Sequence, residues 1–254
     1  MKFENTNVYN FEGAFRGMRN PMNSWDKSDS SVLYHGYQNF EINDPMADKY
    51  EKWNCDFGFN FKIGENDMAL AQRLIRAGSE HRKFMRQIFV CVDITAPLYW
   101  YKEWDTYKVA TVRNSCSTMH KIHVKEFIPS DFSHDAIDEF IPSRECFEHT
   151  LETLNWLRNK FNSTSAETVP NARLKKKFWR GMIQLLPDGF NMRSTCTFNY
   201  ENLLGMCSKG QRRRHKLNEW SGIDELDDEN FIEWARKLPY AQELIFIDEL
   251  SIKE

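Results

Sequence analysis

The reading of the chain turns on residues 81–123, HRKFMRQIFVCVDITAPLYWYKEWDTYKVATVRNSCSTMHKIH. A polar, basic approach leads into an apolar run rich in β-favouring residues (Ile88, Phe89, Val90, Val92, Ile94), and Pro97 follows just before an aromatic block. Branched and aromatic side chains fit a buried pleated surface, so the stretch predicts a buried strand feeding a helix. Within the block, Leu98, Tyr99, Trp100, Tyr101, Trp104 and Tyr107 interleave with Lys102, Glu103, Asp105 and Lys108, and a hydroxyl- and amide-rich loop, Thr111 to Thr118, leads on to Met119 and His120. Flat apolar walls beside a few convergent polar groups suit a planar ligand. Trp100 and Trp104 are expected to pack in the core rather than to stack on one.

At 254 residues the chain is long enough to bury a sizeable core, and a single domain over 1–254 is expected, with an irregular N-terminal segment 1–31 and a helical C-terminal part 199–254. The net charge of -3 excludes wholesale coating of nucleic acid, and eight tryptophans with nineteen phenylalanines favour a wide aromatic core over disorder. Six cysteines, no CxxC pair and no secretory h-region read as reduced thiols in a cytoplasmic protein. No apolar run approaches the length of a bilayer span, so no membrane association is expected.

Working outward, Val32–Ile42 alternates as a strand, and Cys55–Ile63 reads as another, with Phe57, Phe59 and Phe61 at period two; the two would face one another. Asn66 and Asp67 open a helix whose stripe is Met68, Leu70, Ala71, Leu74 and Ile75, ending near Gly78. The arginines of the N-terminal segment, Arg16 and Arg19, read as surface charges. Past a polar, acidic connection from Pro129 to Pro142, Phe147, Leu151, Leu154 and Leu157 mark an amphipathic helix over Cys146–Phe161. A basic helix starts near Asn171 and stops at Pro187. Tyr200–Trp220 is one more helical segment, interrupted by Gly210 and a Gln-Arg-Arg-Arg-His-Lys run. The acidic stretch Asp224–Glu229 precedes a last helix, Phe231–Lys237, and an apolar tail, Leu244–Ile247. A mixed sheet flanked by helices, an α/β (α+β) fold, accounts for these elements.

There is no GxGxxG after a strand, no Walker-type loop and no GxSxG elbow, which counts against Rossmann, P-loop and serine-hydrolase chemistry. Cys116, His120 and His123 have metal-like spacing but offer only three ligands on one turn, and a core cysteine with two polar histidines is the simpler reading; no metal is expected. The run Lys209–Lys216 is either a solvated face or a grip for phosphate.

Taken together, these residues resemble the flavin-dependent thymidylate synthases (ThyX). His81 stands at the position of the family's histidine, Phe89–Ile94 matches its strand and Ala96-Pro97 opens its helix. Residues 104–111 line up with its Arg-His-Arg signature, and Leu186-Pro187 is followed at the family's distance by Asn199 and then by a helix ending in arginines and Glu219. The signature itself departs: Arg-His-Arg is Thr106-Tyr107-Lys108, Thr111 keeps the first hydroxyl, Ser117 agrees with the closing serine, Met119 stands where the family has arginine, and Glu201 replaces another arginine. Lysine cannot reproduce the bidentate phosphate contacts of a guanidinium.

The resemblance implies a diverged flavoprotein of nucleotide biosynthesis, in effect a methyltransferase, that carries out reductive one-carbon transfer to C5 of a pyrimidine deoxynucleotide, dUMP to dTMP. FAD would be its cofactor and NADPH and methylenetetrahydrofolate its co-substrates. The chemistry would use no protein nucleophile, and so no catalytic side chain. By the same resemblance His81, Thr106, Tyr107, Lys108 and Asn199 would hold the flavin, Glu103, Ser117, Arg180, Arg212 and Arg213 would hold the nucleotide, and the assembly would be a homotetramer. Two other readings stay open: a non-catalytic descendant of the fold that binds a nucleotide or a partner, and an unrelated nucleic-acid binder using Arg212–Arg214. The net negative charge argues against the last, so no specific nucleic-acid partner is expected.

Overall fold

Residues Phe89–Pro97 form the predicted strand, and its inward side chains Val90, Val92, Ile94 and Ala96 are completely buried. The chain turns at Pro97 into the helix Leu98–Trp104. The structure is a computed structural model and describes residues 1–33, 46–107, 109–210, 215–222 and 230–250. In chain order the elements are β1 (Lys2–Tyr9), α1 (Phe11–Met18), β2 (Ser31–Val32), α2 (Ala47–Phe57), β3 (Phe61–Lys62), α3 (Glu65–Arg76), β4 (Phe89–Pro97), α4 (Leu98–Trp104), β5 (Val112–Ser115), α5 (Thr118–Lys121), α6 (Asp135–Asp138), α7 (Ile141–Ser163), α8 (Val169–Leu185), β6 (Asn191–Asn199) and α9 (Tyr200–Met206). Short helices at Asn218–Ser221, Phe231–Arg236 and Ala241–Leu244 follow. Four strands make a sheet in the order β1-β4-β6-β5, and β2 pairs with β3 in antiparallel register, Ser31 against Lys62 and Val32 against Phe61. The fold is α/β, as expected. Among the described residues no helix is long and apolar enough to cross a membrane.

The described chain divides into two compact units, one of Met1–Ile94, Trp104–Asn114 and Thr195–Glu254, the other of Thr95–Glu103 and Ser115–Ser194. The core of the first is aromatic. Phe11 meets Phe59 edge-on at 4.9 Å and Tyr200 at 5.3 Å, and Trp53 packs on Tyr240 at 4.9 Å. Edge-to-face pairs of this kind add to plain area burial.

Several expectations are corrected here. Residues 1–31, read as irregular, contain β1 and α1, whose buried stripe is Phe11, Ala14, Phe15 and Met18. Cys55–Ile63 is not one strand. Tyr50, Trp53 and Phe57 bury one face of α2, Gly58 ends it in the left-handed conformation (φ 63°), and only Phe61–Lys62 pairs as strand. Most of Val32–Ile42, the arginines of the 211–214 run and the acidic stretch 224–229 lie outside the described residues. The helix expected from Tyr200 ends at Met206.

Arg19 is not a surface charge. It is 4% exposed, and its Nε donates to Oδ1 of the fully buried Asp67 at 2.5 Å, while the hydroxyls of Ser28 and Ser30 donate to Oδ2 at 2.6 and 2.5 Å. Burial acts to raise the Asp67 carboxyl, but these three partners outweigh it and hold the group below the ordinary carboxylate range.

The second unit is a helical hairpin of α7 and α8 over a core of Ile122, Phe127, Phe132, Phe147, Leu151, Leu154 and Met182. Gly189 is required where it stands: a Cβ there would lie 2.8 Å from the carbonyl oxygen of Ser133, whose N–H donates to the Gly189 carbonyl.

Asp67→Ala leaves the Arg19 guanidinium buried without its carboxylate, and we expect a loss of about 3–5 kcal/mol of stability. Urea unfolding measures it, and a change below about 1 kcal/mol, the range of an exposed pair, would show that the pair is not truly desolvated.

Candidate functional site

In the first unit lie four of the sequence-predicted flavin residues, His81, Thr106, Tyr107 and Asn199. His81 is exposed in the turn before the strand, with its N–H donating to the Gly78 carbonyl at 3.0 Å. Thr106 is exposed and Tyr107 half-buried on the single 3-10 turn after α4; the Tyr107 ring lies 5.6 Å from that of Trp220, and the buried imidazole of His215 stacks on Trp220 at 4.1 Å. Asn199 is 2% exposed and caps α9: its side-chain oxygen accepts from the Asn202 N–H at 2.9 Å, and the Asn202 side chain accepts from the Asn199 N–H at 3.1 Å. This reciprocal box fixes the entry of α9. Lys108 lies outside the described residues.

The chain next to Lys108 is held in an unusual way. Ala110 adopts a left-handed backbone (φ 61°), which costs a non-glycine residue of the order of 1 kcal/mol or more, and Asn202 Nδ2 donates to the Val109 carbonyl at 2.9 Å. Nearby in sequence, Trp104 Nε1 and Thr111 Oγ1 are shielded from solvent with no hydrogen-bond partner. Buried polar atoms are ordinarily satisfied, so two orphans flanking one strained turn point to a bound group. Thr111 Oγ1 has the chemistry that the hydrogen-bonding edge of a flavin ring takes and Tyr107 offers an aromatic face, whereas Trp104 is 2% exposed and packs against Phe198 in the core.

What sequence reasoning missed is the company of Glu201. On α9 it receives a hydrogen bond from Arg82 Nε at 3.1 Å, another from Arg86 Nε, and a third from Arg86 Nη2 at 3.3 Å. Burial acts to raise the Glu201 carboxyl, and the bonds from Arg86 and Arg82 more than reverse it, so the group sits below its ordinary value. The position where the resembling family has arginine therefore carries an anion, and the two guanidinium groups come from the segment before β4. Their basic approach was visible in the sequence; the pairing across more than 110 residues was not. Cys196 on β6 is buried, and desolvation pushes its thiol up to about 12.

The remaining predicted residues that are described lie in the second unit. Glu103 is half-buried near the end of α4, Ser117 is exposed and accepts from the His120 N–H at 3.0 Å to cap α5, and Arg180 is exposed on α8. Around α4, the Tyr101 hydroxyl donates to the Met192 carbonyl at 3.2 Å and Lys102 pairs with Asp188. Arg212 and Arg213 lie outside the described residues.

No family model matches the sequence, and no curated protein matches it. Among solved structures the chain is similar to the flavin dependent thymidylate synthase ThyX from Helicobacter pylori complexed with FAD and dUMP, at 15% identity and a TM-score of 0.55, covering 99% of this chain and 100% of that one. A second structure of thymidylate synthase X (ThyX) from the same organism, with FAD and dUMP, matches at 14% identity and a TM-score of 0.55 over 98% of each chain. At this identity the likeness shows a ThyX-like fold.

Glu201→Gln weakens the charge-assisted bonds to Arg82 and Arg86, and a loss of about 1–3 kcal/mol is expected near neutral pH. Because the folded carboxyl is depressed, its stabilisation is complete above the unfolded value of about 4.3 and fades as pH falls through the lower folded value. Denaturant melts of both proteins across pH should converge at the acid end; a gap that persists there would mean that the charge on Glu201 is not what stabilises the triad.

Proposed function

We propose that the protein is a diverged flavoenzyme of the flavin-dependent thymidylate synthase fold, acting by reductive one-carbon transfer on a pyrimidine deoxynucleotide. The observation that carries this reading is the end-to-end likeness in fold to synthases that hold FAD and dUMP. The orphaned Trp104 and Thr111 groups beside the strained Ala110 turn support it. A reduced flavin, when bound, supplies a hydride to the one-carbon unit attached at the pyrimidine. The work left to the chain is binding, orientation and exclusion of water.

In this reading Tyr107 lends a ring face to the flavin, Thr106 and His81 lend hydrogen bonds, Lys108 takes charge on the dinucleotide phosphates, and Asn199 holds the start of α9 in register. Arg180, Arg212 and Arg213 receive the nucleotide phosphate, with Glu103 and Ser117 as hydrogen-bonding partners. NADPH and methylenetetrahydrofolate as co-substrates, a homotetramer and a cytoplasmic location belong to the same proposal.

A second reading, a descendant that binds nucleotide without flavin, is favoured by one observation: Glu201 engages both Arg82 and Arg86, so this pair offers less charge to a pyrophosphate.

The absorption spectrum after loading with FAD and gel filtration separates the two. We expect a flavin band co-eluting with protein at tetramer size, and retained flavin reduced about tenfold or more in His81→Ala and Lys108→Ala. Flavin content equal to wild type in both variants would overturn these residue roles. Nucleotide affinity with no retained flavin would establish the second reading.

A further inference from the structure

The second unit holds a group of cations that the synthase reading does not use. Arg158 and Phe161 lie one turn apart on α7, Lys175 is on α8, and Lys121 and His123 are at and just after the end of α5. The His123 ring lies 4.5 Å from the Phe161 ring, and the Lys175 ammonium lies 4.8 Å from the centroid of that same ring. Phe161 is thus a common wall for both. Arg158 Nη1 donates to the neutral Asn159 side chain at 3.1 Å. Among the described residues none of Lys121, Arg158 and Lys175 pairs with a carboxylate.

Two further atoms make this more than a basic surface. His123 Nδ1 and Arg158 Nε are shielded from solvent and have no hydrogen-bond partner. His123 and Lys175 meet at Phe161, one turn along α7 from Arg158, and Lys121 is two residues from His123. Burial first, then the fields of Lys121, Lys175 and Arg158, hold the His123 imidazole below its ordinary value. Converging like charges beside unsatisfied buried polar atoms is an arrangement that folding alone penalises twice. An anion among them would relieve both penalties. A carboxylate is planar and suits a single guanidinium fork, whereas a tetrahedral oxyanion presents acceptors in several directions and carries more charge.

We propose that Lys121, His123, Arg158 and Lys175 form a binding site for a phosphate group. None of these four is among the residues assigned to flavin and nucleotide above, although Ser117 of that set caps the helix that ends in Lys121, whose N–H donates to the Ser117 carbonyl at 3.3 Å. Either free phosphate or a small phosphomonoester supplies the same chemistry, and the test tells them apart.

The test is an NMR titration of the His123 imidazole in the full-length protein, with inorganic phosphate and with glycerol phosphate in turn, at constant pH and with ionic strength balanced by sodium chloride. A saturable shift is expected for His123 with at least one of the two, and the tighter ligand identifies the source. Arg158→Met and Lys175→Met should each weaken binding about tenfold, the loss of one charge-assisted bond. Lys121→Met, an exposed position whose loss does not touch the core, gives the same comparison if Arg158→Met fails to fold. Phosphate-free melting temperatures of the variants should be unchanged or raised, because mutual repulsion is relieved. No saturable shift with either ligand, or equal affinity in Lys175→Met, Lys121→Met and the wild type, would overturn the proposal.

Discussion

The complete burial of one face of β4, Val90, Val92, Ile94 and Ala96, is the constraint on which the rest of the structure depends. A strand whose inward side chains are all removed from water must be covered, and its backbone groups must be paired on both sides. In the sheet order β1-β4-β6-β5 it has a neighbour on each flank. The segment before it carries Arg82 and Arg86, and the helix after β6 carries Glu201, so the sheet brings the ends of distant stretches within hydrogen-bond reach. The charged triad follows from the sheet rather than the reverse.

Much of this architecture was legible because it repeats at a single period. The apolar run of β4 and the stripe of α7 announce themselves within one stretch of chain. What stayed hidden has physical reasons. The buried side chains of β1 include Thr6 and those of β6 include Ser194 and Cys196, so neither strand reads as apolar alternation. In α2 the aromatic stripe runs straight into Phe59 and Phe61 beyond Gly58, and the period-two pattern of three phenylalanines imitates a strand. Arg19 and Asp67 satisfy one another across 48 positions, which no local pattern encodes.

The same limit applies to the candidate site. The resemblance read at residues 104–111 pointed to the fold that the structure shares with the synthases. The sense of its electrostatics emerged only in three dimensions, where the carboxylate standing in an arginine's place draws two arginines from elsewhere. Strain at Ala110 and unpartnered buried groups at Trp104 and Thr111 lie on the same segment, local inconsistencies of the kind that natural proteins concentrate at functional sites.

The thiols divide along the same line between what is covered and what is open. Cys55, Cys116 and Cys146 are exposed, whereas Cys207 is buried and Cys196 is both buried and pushed up to about 12. Alkylating reagents attack the thiolate, so the two populations differ in rate by access and by ionisation together. The chain thus carries its own clock for opening: once the outer cysteines and the half-buried Cys91 are blocked, label appearing on Cys196 of β6 reports molecules in which the sheet has come apart.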